Sequence, residues 1–193
     1  MDRWLYQKRL DDMRVLIACE FSGIVREAFA ARGHDAWSCD LEPSERPGQY
    51  IEGDVLEILS EGWDLMVAHP PCTYLCNAGA RWWQTRQREQ QEALAFVQAL
   101  LAAPIPRIAL ENPEGIISTR IRKPDQYIQP WMFGDEATKK TGLWLIGLPL
   151  LQPTRIMAHR PQLCWRMGQS KSRSRNRSRT YPGIAQAMAQ QWG

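Results

Sequence analysis

The chain lacks acidic residues after Glu136. All 21 Asp and Glu residues lie at or before that position, whereas ten of the 24 Lys and Arg residues follow it. Residues 1–136 therefore carry a net charge of −7 and residues 137–193 carry +10, although the whole chain is only at +3. This division predicts that the C-terminal third contacts a polyanion. A basic tail that only keeps the protein soluble is the alternative.

Other scarcities each exclude a class of protein. No apolar run approaches the roughly 20 residues of a membrane-spanning helix, and the charged start of the chain has no apolar signal-peptide core. The three histidines are scattered and the five cysteines form no Cys-x-x-Cys pair. We therefore expect no zinc site and no disulfide framework, in a cytoplasmic protein with reduced thiols.

The 193 residues suffice for one domain with a substantial core. Short apolar runs alternate with segments of helical periodicity, which predicts an α/β fold with a mostly parallel sheet and helices on both faces. We expect a loop over residues 41–50 and several turns over residues 114–135. The predicted strands are 14–19, 35–39, 64–68, 107–110 and 141–147, and the predicted helices are 24–32, 55–60, 82–103 and 184–192.

The ends of the first two predicted strands carry the residues of a nucleotide site. Glu20-Phe21-Ser22-Gly23 forms a turn before the first helix, and Asp40 stands at the end of the second strand. A strand, a glycine turn, a helix and an acid on the next strand are typical of a nucleotide-binding unit, whose acid accepts the ribose hydroxyls. Asp54, in Gly53-Asp54-Val55, could accept a hydrogen bond from an adenine amino group, although by itself it is better explained as a helix N-cap.

The motif His69-Pro70-Pro71-Cys72 follows the third predicted strand. Two prolines end a strand, because proline fixes φ and donates no ladder hydrogen bond. They leave Cys72 at the carboxyl end of the sheet, where a thiol held in place is suited to nucleophilic attack. A buried cysteine without chemistry is the alternative. Glu111-Asn112-Pro113 follows the fourth strand, and a parallel sheet would bring Glu111 and Asn112 to the same edge as Cys72.

Taken in order, these motifs resemble those of the DNA cytosine-5 methyltransferase family over most of the chain. Pro70-Pro71-Cys72 resembles the catalytic motif of that family, and Glu111-Asn112-Pro113 resembles its Glu-Asn-Val motif. The resemblance implies a Rossmann-like methyltransferase fold and S-adenosylmethionine as the methyl donor. It also implies that Cys72 adds to C6 of cytosine, that Glu111 protonates N3, and that Asn112 orients the base or braces the loop.

The resemblance further implies which residues bind the cofactor, and the basic residues suggest which bind DNA. The implied cofactor-binding residues are Phe21, Ser22, Gly23, Asp40, Asp54, Val55, Pro70, Pro182 and Ile184. The residues expected to contact nucleic acid are Arg81, Lys140, Arg173, Arg175, Arg177 and Arg179. Lys140 stands near the position of an arginine that holds the target base in the family. The expected partner is double-stranded DNA with the target base flipped out of the stack, and no metal is required.

The same comparison divides the chain into segments. We expect a flexible N-terminal extension at residues 1–12 and a catalytic and cofactor-binding core at residues 13–147. A small basic DNA-contacting segment is expected at residues 148–180, followed by a helix at residues 181–193 that returns to the core. Family members carry a separate target-recognition domain before the final motif, whereas only about 30 residues fill that gap here. We therefore predict a short target of about two to four base pairs. Residues 73–83 are expected to act as a lid, with Gly79 as a hinge.

Three other functions fit parts of the sequence. A cytosine-5 methyltransferase acting on RNA or on a free nucleotide would use the same cysteine, although the basic segment argues against a free nucleotide. An amino-methyltransferase would need an acid or Asn before the Pro-Pro pair and an aromatic residue after it, which His69 and Cys72 do not supply. A non-catalytic nucleic-acid-binding module is the third alternative, and the presence of Cys72 and Glu111 argues against it.

Overall fold

The computed structural model describes residues 12–162 and 173–193. Nearly all of the predicted N-terminal extension and part of the basic segment therefore lie outside the described residues. A seven-stranded sheet forms within them, in the order β3-β2-β1-β4-β5-β7-β6. Its strands are β1 (Arg14–Ala18), β2 (Asp35–Asp40), β3 (Tyr50–Glu52), β4 (Leu65–Ala68), β5 (Ile108–Pro113), β6 (Gln126–Ile128) and β7 (Thr141–Ile146). The helices are α1 (Ile24–Ala30), α2 (Gln87–Leu101), α3 (Ile117–Arg120), α4 (Arg173–Ser178) and α5 (Pro182–Trp192).

The strand directions bring the predicted site residues to one edge. The pairs β1–β2, β1–β4, β2–β3 and β4–β5 are all parallel, so these five strands end at the same edge of the sheet. Strand β7 runs antiparallel to both β5 and β6. The predicted α/β fold with a mostly parallel sheet is confirmed, and ligands in such sheets bind beyond the carboxyl ends of the strands.

Both faces of the sheet are covered, which explains the continuous apolar runs of the central strands. In β1, Val15 and Ile17 pack against α1 and α5 on one face, while Leu16 and Ala18 pack on the other face with residues of α2. Burying each large aliphatic side chain contributes roughly 1.5–3 kcal/mol. This rigid centre holds the strand ends in place. No helix in the described part of the chain is long and apolar enough to cross a bilayer.

The structure corrects several predicted boundaries. Strands β3 and β6 fall at or within segments that we expected to be loop or turns, because three-residue edge strands are too short to show a period of two. The predicted helix 82–103 begins only at Gln87, after a 3₁₀ turn over Asn77–Trp82. Strand β5 runs on through Pro113, which pairs with Thr141 at the last position of the ladder, where proline is tolerated.

Candidate active site

The turn after β1 is organised by the buried carboxylate of Glu20, which is 4% exposed. Its oxygens accept the backbone N–H groups of Val25 at 2.7 Å and Arg26 at 3.3 Å, and the hydroxyl of Ser38 at 2.9 Å. The Ser22 hydroxyl donates to the same carboxylate at 3.2 Å. An anion at the N-terminus of α1 is favoured by the orphan N–H groups and by the helix dipole. Glu20 thus occupies the place where dinucleotide-binding folds hold a phosphate.

The turn requires a backbone conformation at position 23 that glycine allows. Gly23 caps α1 with a φ of 71°, a conformation that glycine adopts at little cost. A Cβ at this position would also approach the Arg26 guanidinium to 2.7 Å. Ser22 and Gly23 therefore shape the turn, and their proposed contacts with a cofactor stay a prediction.

The acids predicted to hold a nucleoside differ in their roles. Asp40 ends β2, half-buried, and its burial raises the pKa of its carboxyl group above the ordinary value. Asp54 is exposed, and its Oδ1 accepts the N–H of Leu56 at 3.0 Å, so it caps the 3₁₀ turn that starts at Val55. The N-cap alternative for Asp54 therefore describes this structure, and Val55 is buried in the core.

The cleft between β1 and β4 is covered by α4. The cavity that remains holds about 30 Å³ and is lined by Cys19, Glu20, Phe21, Ser22, His69, Ser178, Arg179 and Thr180. This volume is far below the roughly 300 Å³ or more of typical ligand sites. Residues of the basic segment therefore lie on the predicted cofactor site in this conformation.

Two arginines fasten α4 to the loop after β2, and we call this group the arginine latch: Arg175 and Arg179 with Glu42 and Glu45. Arg175 pairs with Glu42 at 2.5 Å and with Glu45 at 2.8 Å, and Arg179 pairs with Glu45 at 2.6 Å. Hydrogen bonds from Arg179 and then Arg175 lower the pKa of Glu45 to about 2. Ser/Arg-rich sequence cannot bury a core and is flexible unless bound. Residues 173–178 are nevertheless helical, and the acidic loop supplies their counter-charges.

The closing segment reaches the cleft two residues before Pro182, the first motif residue predicted to contact the cofactor. Thr180 lines the cleft, whereas Pro182 is exposed and Ile184 is buried in the core beside α1. The start of α5 is held elsewhere, since the N–H of Gly183 donates to Asp135 at 2.9 Å. The proposed cofactor contacts of Pro182 and Ile184 stay a prediction.

The ends of β4 and β5 are joined at the predicted catalytic residues. The Asn112 amide, which is 1% exposed, donates to the carbonyl of Pro70 at 2.8 Å. Nδ1 of His69 lies 3.3 Å from Oε2 of Glu111, and both side chains are largely buried. Glu111 is also close enough to Cys72 to raise the pKa of that thiol. Cys72, Glu111 and Asn112 are thus brought together, as the parallel sheet predicted.

The lysine beside Glu111 is Lys139 rather than Lys140. Burial alone would raise the pKa of Glu111, but the charge of Lys139 and hydrogen bonds from His69 and Thr141 hold it below its ordinary value. Lys140 points away, to Glu114 at 3.0 Å and over the Tyr127 ring. Successive residues of an extended chain face opposite sides, so Lys139 shares its face with Thr141. The role that the resemblance implies for Glu111, protonation of N3, therefore requires the carboxylate to gain a proton first.

Cys72 has a sulfur neighbour that sequence reasoning missed. The carbonyl of Cys72 accepts the N–H groups of Leu75 and Cys76, both at 3.0 Å, which forms one helical turn and puts both thiols on one side. The Cys72 thiol donates to Cys76, which raises the pKa of Cys72 and lowers that of Cys76 to about 6. The N–H groups of Ala78 and Gly79 and the charge of Arg177 also lower the Cys76 value.

Gly115 fastens the cysteine turn to the end of β5. The N–H of Ile116 donates to Leu75 at 2.8 Å, and the N–H of Asn77 donates to Glu114 at 3.0 Å. A Cβ on Gly115 would collide with the carbonyl oxygen of Leu75 and with Cα of Cys76. The backbone contact therefore requires glycine, and it fixes the cysteines relative to Glu111.

The predicted nucleic-acid contacts lie in different environments. Arg81 is exposed on the turn after the cysteines, and Arg177 lies near Cys76. The Nε atom of Arg173 is buried and has no hydrogen-bond partner among the residues that the structure describes. Arg175 and Arg179 are engaged in the arginine latch, so in this conformation acidic side chains occupy the groups expected to grip phosphates.

Four residues of the site were missed by sequence reasoning: Glu20, His69, Cys76 and Lys139. Each lies within two residues of a predicted site residue or one helical turn from it. This closeness in the sequence was the only signal that could have identified them as site residues. Within residues 12–162 and 173–193, no cluster of His, Cys, Asp and Glu could hold a metal ion.

Comparison with known proteins identifies the fold. No protein-family model and no curated protein matches the sequence. The chain resembles a solved structure described as a DNA modification methyltransferase encoded within an E. coli prophage, with a TM-score of 0.53, 13% identity, and coverage of 76% of this chain and 52% of that one. The 16S rRNA methylase RmtB gives a TM-score of 0.35 at 18% identity, over 69% of this chain and 55% of that one, which is too low to support an inference. The chain spans about half the length of the structures it matches. This likeness shows the fold, which is an α/β Rossmann-like methyltransferase fold.

Proposed function

We propose that the chain transfers a methyl group from S-adenosylmethionine to C5 of cytosine in DNA, through a covalent bond between Cys72 and C6 of a flipped-out base. The observation that carries this proposal is the joint between β4 and β5. The Asn112 amide holds the Pro70 carbonyl at 2.8 Å, which fixes the turn that presents Cys72 beside Glu111. A thiol and a carboxyl group held on adjacent strand ends are what addition to a pyrimidine ring requires.

Two unpartnered buried atoms support a ligand at this joint. Nε2 of His69 and Oδ1 of Asn112 have no hydrogen-bond partner within the described residues. A buried polar atom without a partner costs about 1–3 kcal/mol, so a ligand that supplies one is favoured. The Oδ1 atom is an acceptor, and the exocyclic amine of cytosine is a donor.

The residues around the β1–β4 cleft fit S-adenosylmethionine better than a phosphorylated cofactor. The Glu20 carboxylate already takes the N–H groups at the start of α1, so a phosphate there would meet a buried negative charge. S-adenosylmethionine has no phosphate and carries a cationic sulfonium, and its ribose hydroxyls suit the Asp40 carboxylate. When bound, it would supply an electrophilic methyl group, and the arginine latch must open to admit it.

The addition step can be balanced with the groups present. The Cys72 sulfur forms a bond to C6, and N3 of the ring gains a proton. The thiol has two anionic neighbours, Cys76 and Glu111, and Glu111 is ionised in the free protein. A carboxylate that accepts the thiol proton and donates it to N3 accounts for that proton. After C5 has gained the methyl group, a base removes the C5 proton and the C6–sulfur bond breaks. The N3 proton returns through the Glu111 carboxylate to the leaving sulfur, which restores the cysteine thiol and the neutral ring.

The test is transfer of a labelled methyl group to DNA, RNA and dCMP, followed by nucleoside analysis. We expect label in 5-methylcytosine from DNA, with transfer abolished in Cys72→Ser and DNA binding retained. Cys39→Ser is the matched control, since Cys39 is buried in β2 and packs in the hydrophobic core rather than in the turn that carries Cys72. Label in an amino-methylated base would overturn the proposal. DNA binding by the wild-type protein without any transfer would favour the non-catalytic binding module.

A further inference from the structure

A second cavity lies beside the nucleophile's turn and is separate from the cofactor cleft. It holds about 220 Å³ and is lined by Thr73, Tyr74, Gly79, Trp83 and Arg86. It is formed between the turn that carries the cysteines and the segment leading into α2. None of these side chains is used by the chemistry proposed above.

The walls of this cavity suit a flat ring. Two of its five lining residues are aromatic, Tyr74 and Trp83, and the space exceeds the volume of a single nucleobase. Gly79 lets the backbone fold back closely, since a Cβ there would come within 2.9 Å of the Thr73 carbonyl oxygen. Stacking on aromatic side chains is the common means of holding unpaired bases.

The polar groups of the cavity suit a nucleotide rather than an uncharged ring. The Arg86 guanidinium is exposed at the rim, 5.8 Å from the Tyr74 ring centre, and donates to the Tyr74 hydroxyl at 3.3 Å. It can reach a phosphate while its cation remains near the ring. Trp83 lines the cavity, and its indole N–H is buried without a hydrogen-bond partner in the described ranges, so a base that brings an acceptor to it is favoured.

The position of the cavity relates it to the target base. Thr73 follows Cys72 directly, so a strand whose cytosine reaches Cys72 passes the cavity with a neighbouring nucleotide. We propose that this cavity binds the nucleobase next to the target cytosine in the same DNA strand, with Arg86 on its phosphate. The inference rests on the proposed function and deepens it. It supplies a means of reading local sequence in a chain whose gap for a recognition domain is only about 30 residues.

Four variants separate the cavity from its surroundings. Tyr74→Leu removes the ring, Tyr74→Phe keeps it, and Arg86→Gln removes the charge. Arg88→Gln is the matched control, because Arg88 lies two residues further along the chain, in α2, but points to solvent and pairs with Glu92. The thermal midpoint of each variant is measured first, and only variants that match the wild-type protein are used.

The first measurement is binding of a short cytosine-containing single strand, followed by fluorescence anisotropy. We expect Tyr74→Leu and Arg86→Gln each to weaken binding about tenfold, and Tyr74→Phe and Arg88→Gln to leave it unchanged. Equal binding by Tyr74→Leu and wild type overturns the proposal. This measurement needs no methyl transfer, so it tests the cavity even if the proposed function fails.

The second measurement is bisulfite sequencing of a methylated duplex library with random bases around each cytosine. We expect the wild-type protein to show a preference at a position adjacent to the modified cytosine, and Tyr74→Leu to lose it. A preference that survives in Tyr74→Leu overturns the proposal while leaving the methyltransferase function intact. Absence of any 5-methylcytosine overturns the proposed function instead, and the anisotropy result then decides the cavity alone.

Discussion

The guanidinium carbon of Arg175 lies 4.4 Å from the centre of the Phe21 ring. The motif resemblance assigns that ring to the cofactor site, and the basic composition of the segment assigns the arginine to DNA. Arg175, which is expected to bind DNA, thus covers the Phe21 ring, which is expected to bind the cofactor. The proposed function therefore predicts that the arginine latch opens for both binding events.

The first prediction concerns this latch. We expect the double variant Arg175→Ala and Arg179→Ala to bind S-adenosylmethionine about three- to tenfold more tightly, because the closed conformation no longer competes. Isothermal titration calorimetry measures the affinity. Raising the salt concentration should tighten binding to the wild-type protein and change the double variant little, since exposed ion pairs are screened.

Arg177→Ala is the control for the latch, because Arg177 lies between the two latch arginines but makes none of the three ion pairs to Glu42 or Glu45. Weaker cofactor binding in the double variant would show that the two arginines hold the cofactor rather than exclude it. Because the pKa of Glu45 is about 2, the latch should stay closed down to about pH 3.

The second prediction concerns Lys139 and the charge of Glu111. A carboxyl group with a lowered pKa in the folded state adds stability above its unfolded pKa, and that stability is lost as pH falls through the folded pKa. Lys139→Met removes the nearby cation, so the folded pKa of Glu111 rises and the loss begins at higher pH. We expect a decrease of about 1–3 kcal/mol in the free energy of unfolding near pH 7. Urea unfolding from about pH 7 to about pH 4 measures both effects.

Lys140→Met provides the comparison for Lys139. The Lys140–Glu114 pair is about half exposed, and such pairs contribute about 0–1 kcal/mol. This variant should therefore leave the pH dependence unchanged. A larger effect at Lys140 than at Lys139 would contradict the geometry described above. It would instead support the original prediction that Lys140 stands near the target base.

The third prediction concerns the two neighbouring thiols. Cys76, with a pKa of about 6, should react with iodoacetamide at half its maximal rate near pH 6, while Cys72 stays unreactive at neutral pH. Cys76→Ser removes the adjacent negative charge, so the pKa of Cys72 falls and its alkylation rate at neutral pH rises. Mass spectrometry of peptides from the alkylated protein measures each cysteine separately.

Cys39→Ser should change neither rate, because burial raises the pKa of Cys39 to about 11 and its neighbours are Asp40 and Asp54. Preferential alkylation of Cys72 in the wild-type protein would mean that the thiolate resides on the nucleophile. That result would leave the turn intact but reverse the roles of its two sulfur atoms.

The fourth prediction concerns Gly115, where the cysteine turn meets the end of β5. Gly115→Ala forces a Cβ against the Leu75 carbonyl, and we expect the strain to cost about 1–3 kcal/mol of stability. The displaced turn should also lower methyl transfer at least tenfold without changing the affinity for the cofactor. Gly53→Ala is the control, since a Cβ there meets no atom within 4 Å. Unchanged transfer in Gly115→Ala would show that the joint does not position Cys72.

Much of this site followed from sequence because strand ends are marked locally. The prolines after Ala68 end β4, and the acid after Cys39 ends β2, so the parallel topology alone places Cys72, Asp40 and Glu111 on one edge. The edge strands β3 and β6 were not predictable in this way, since three residues carry no measurable periodicity. The start of α2 was also misplaced, because residues 83–86 have helical composition but form an irregular turn between the 3₁₀ turn and Gln87.

The sequence by itself determined which residues could carry chemistry and which edge of the sheet would hold them. These properties depend on residue type, on proline and glycine positions, and on a hydrophobic period read over a few residues. Only the tertiary structure decided that Lys139 rather than Lys140 faces Glu111, that Cys76 neighbours Cys72, and that Arg175 covers Phe21. These contacts join residues across strand pairs, close backbone approaches and ion pairs, so they depend on packing between segments and not on the local pattern of either one.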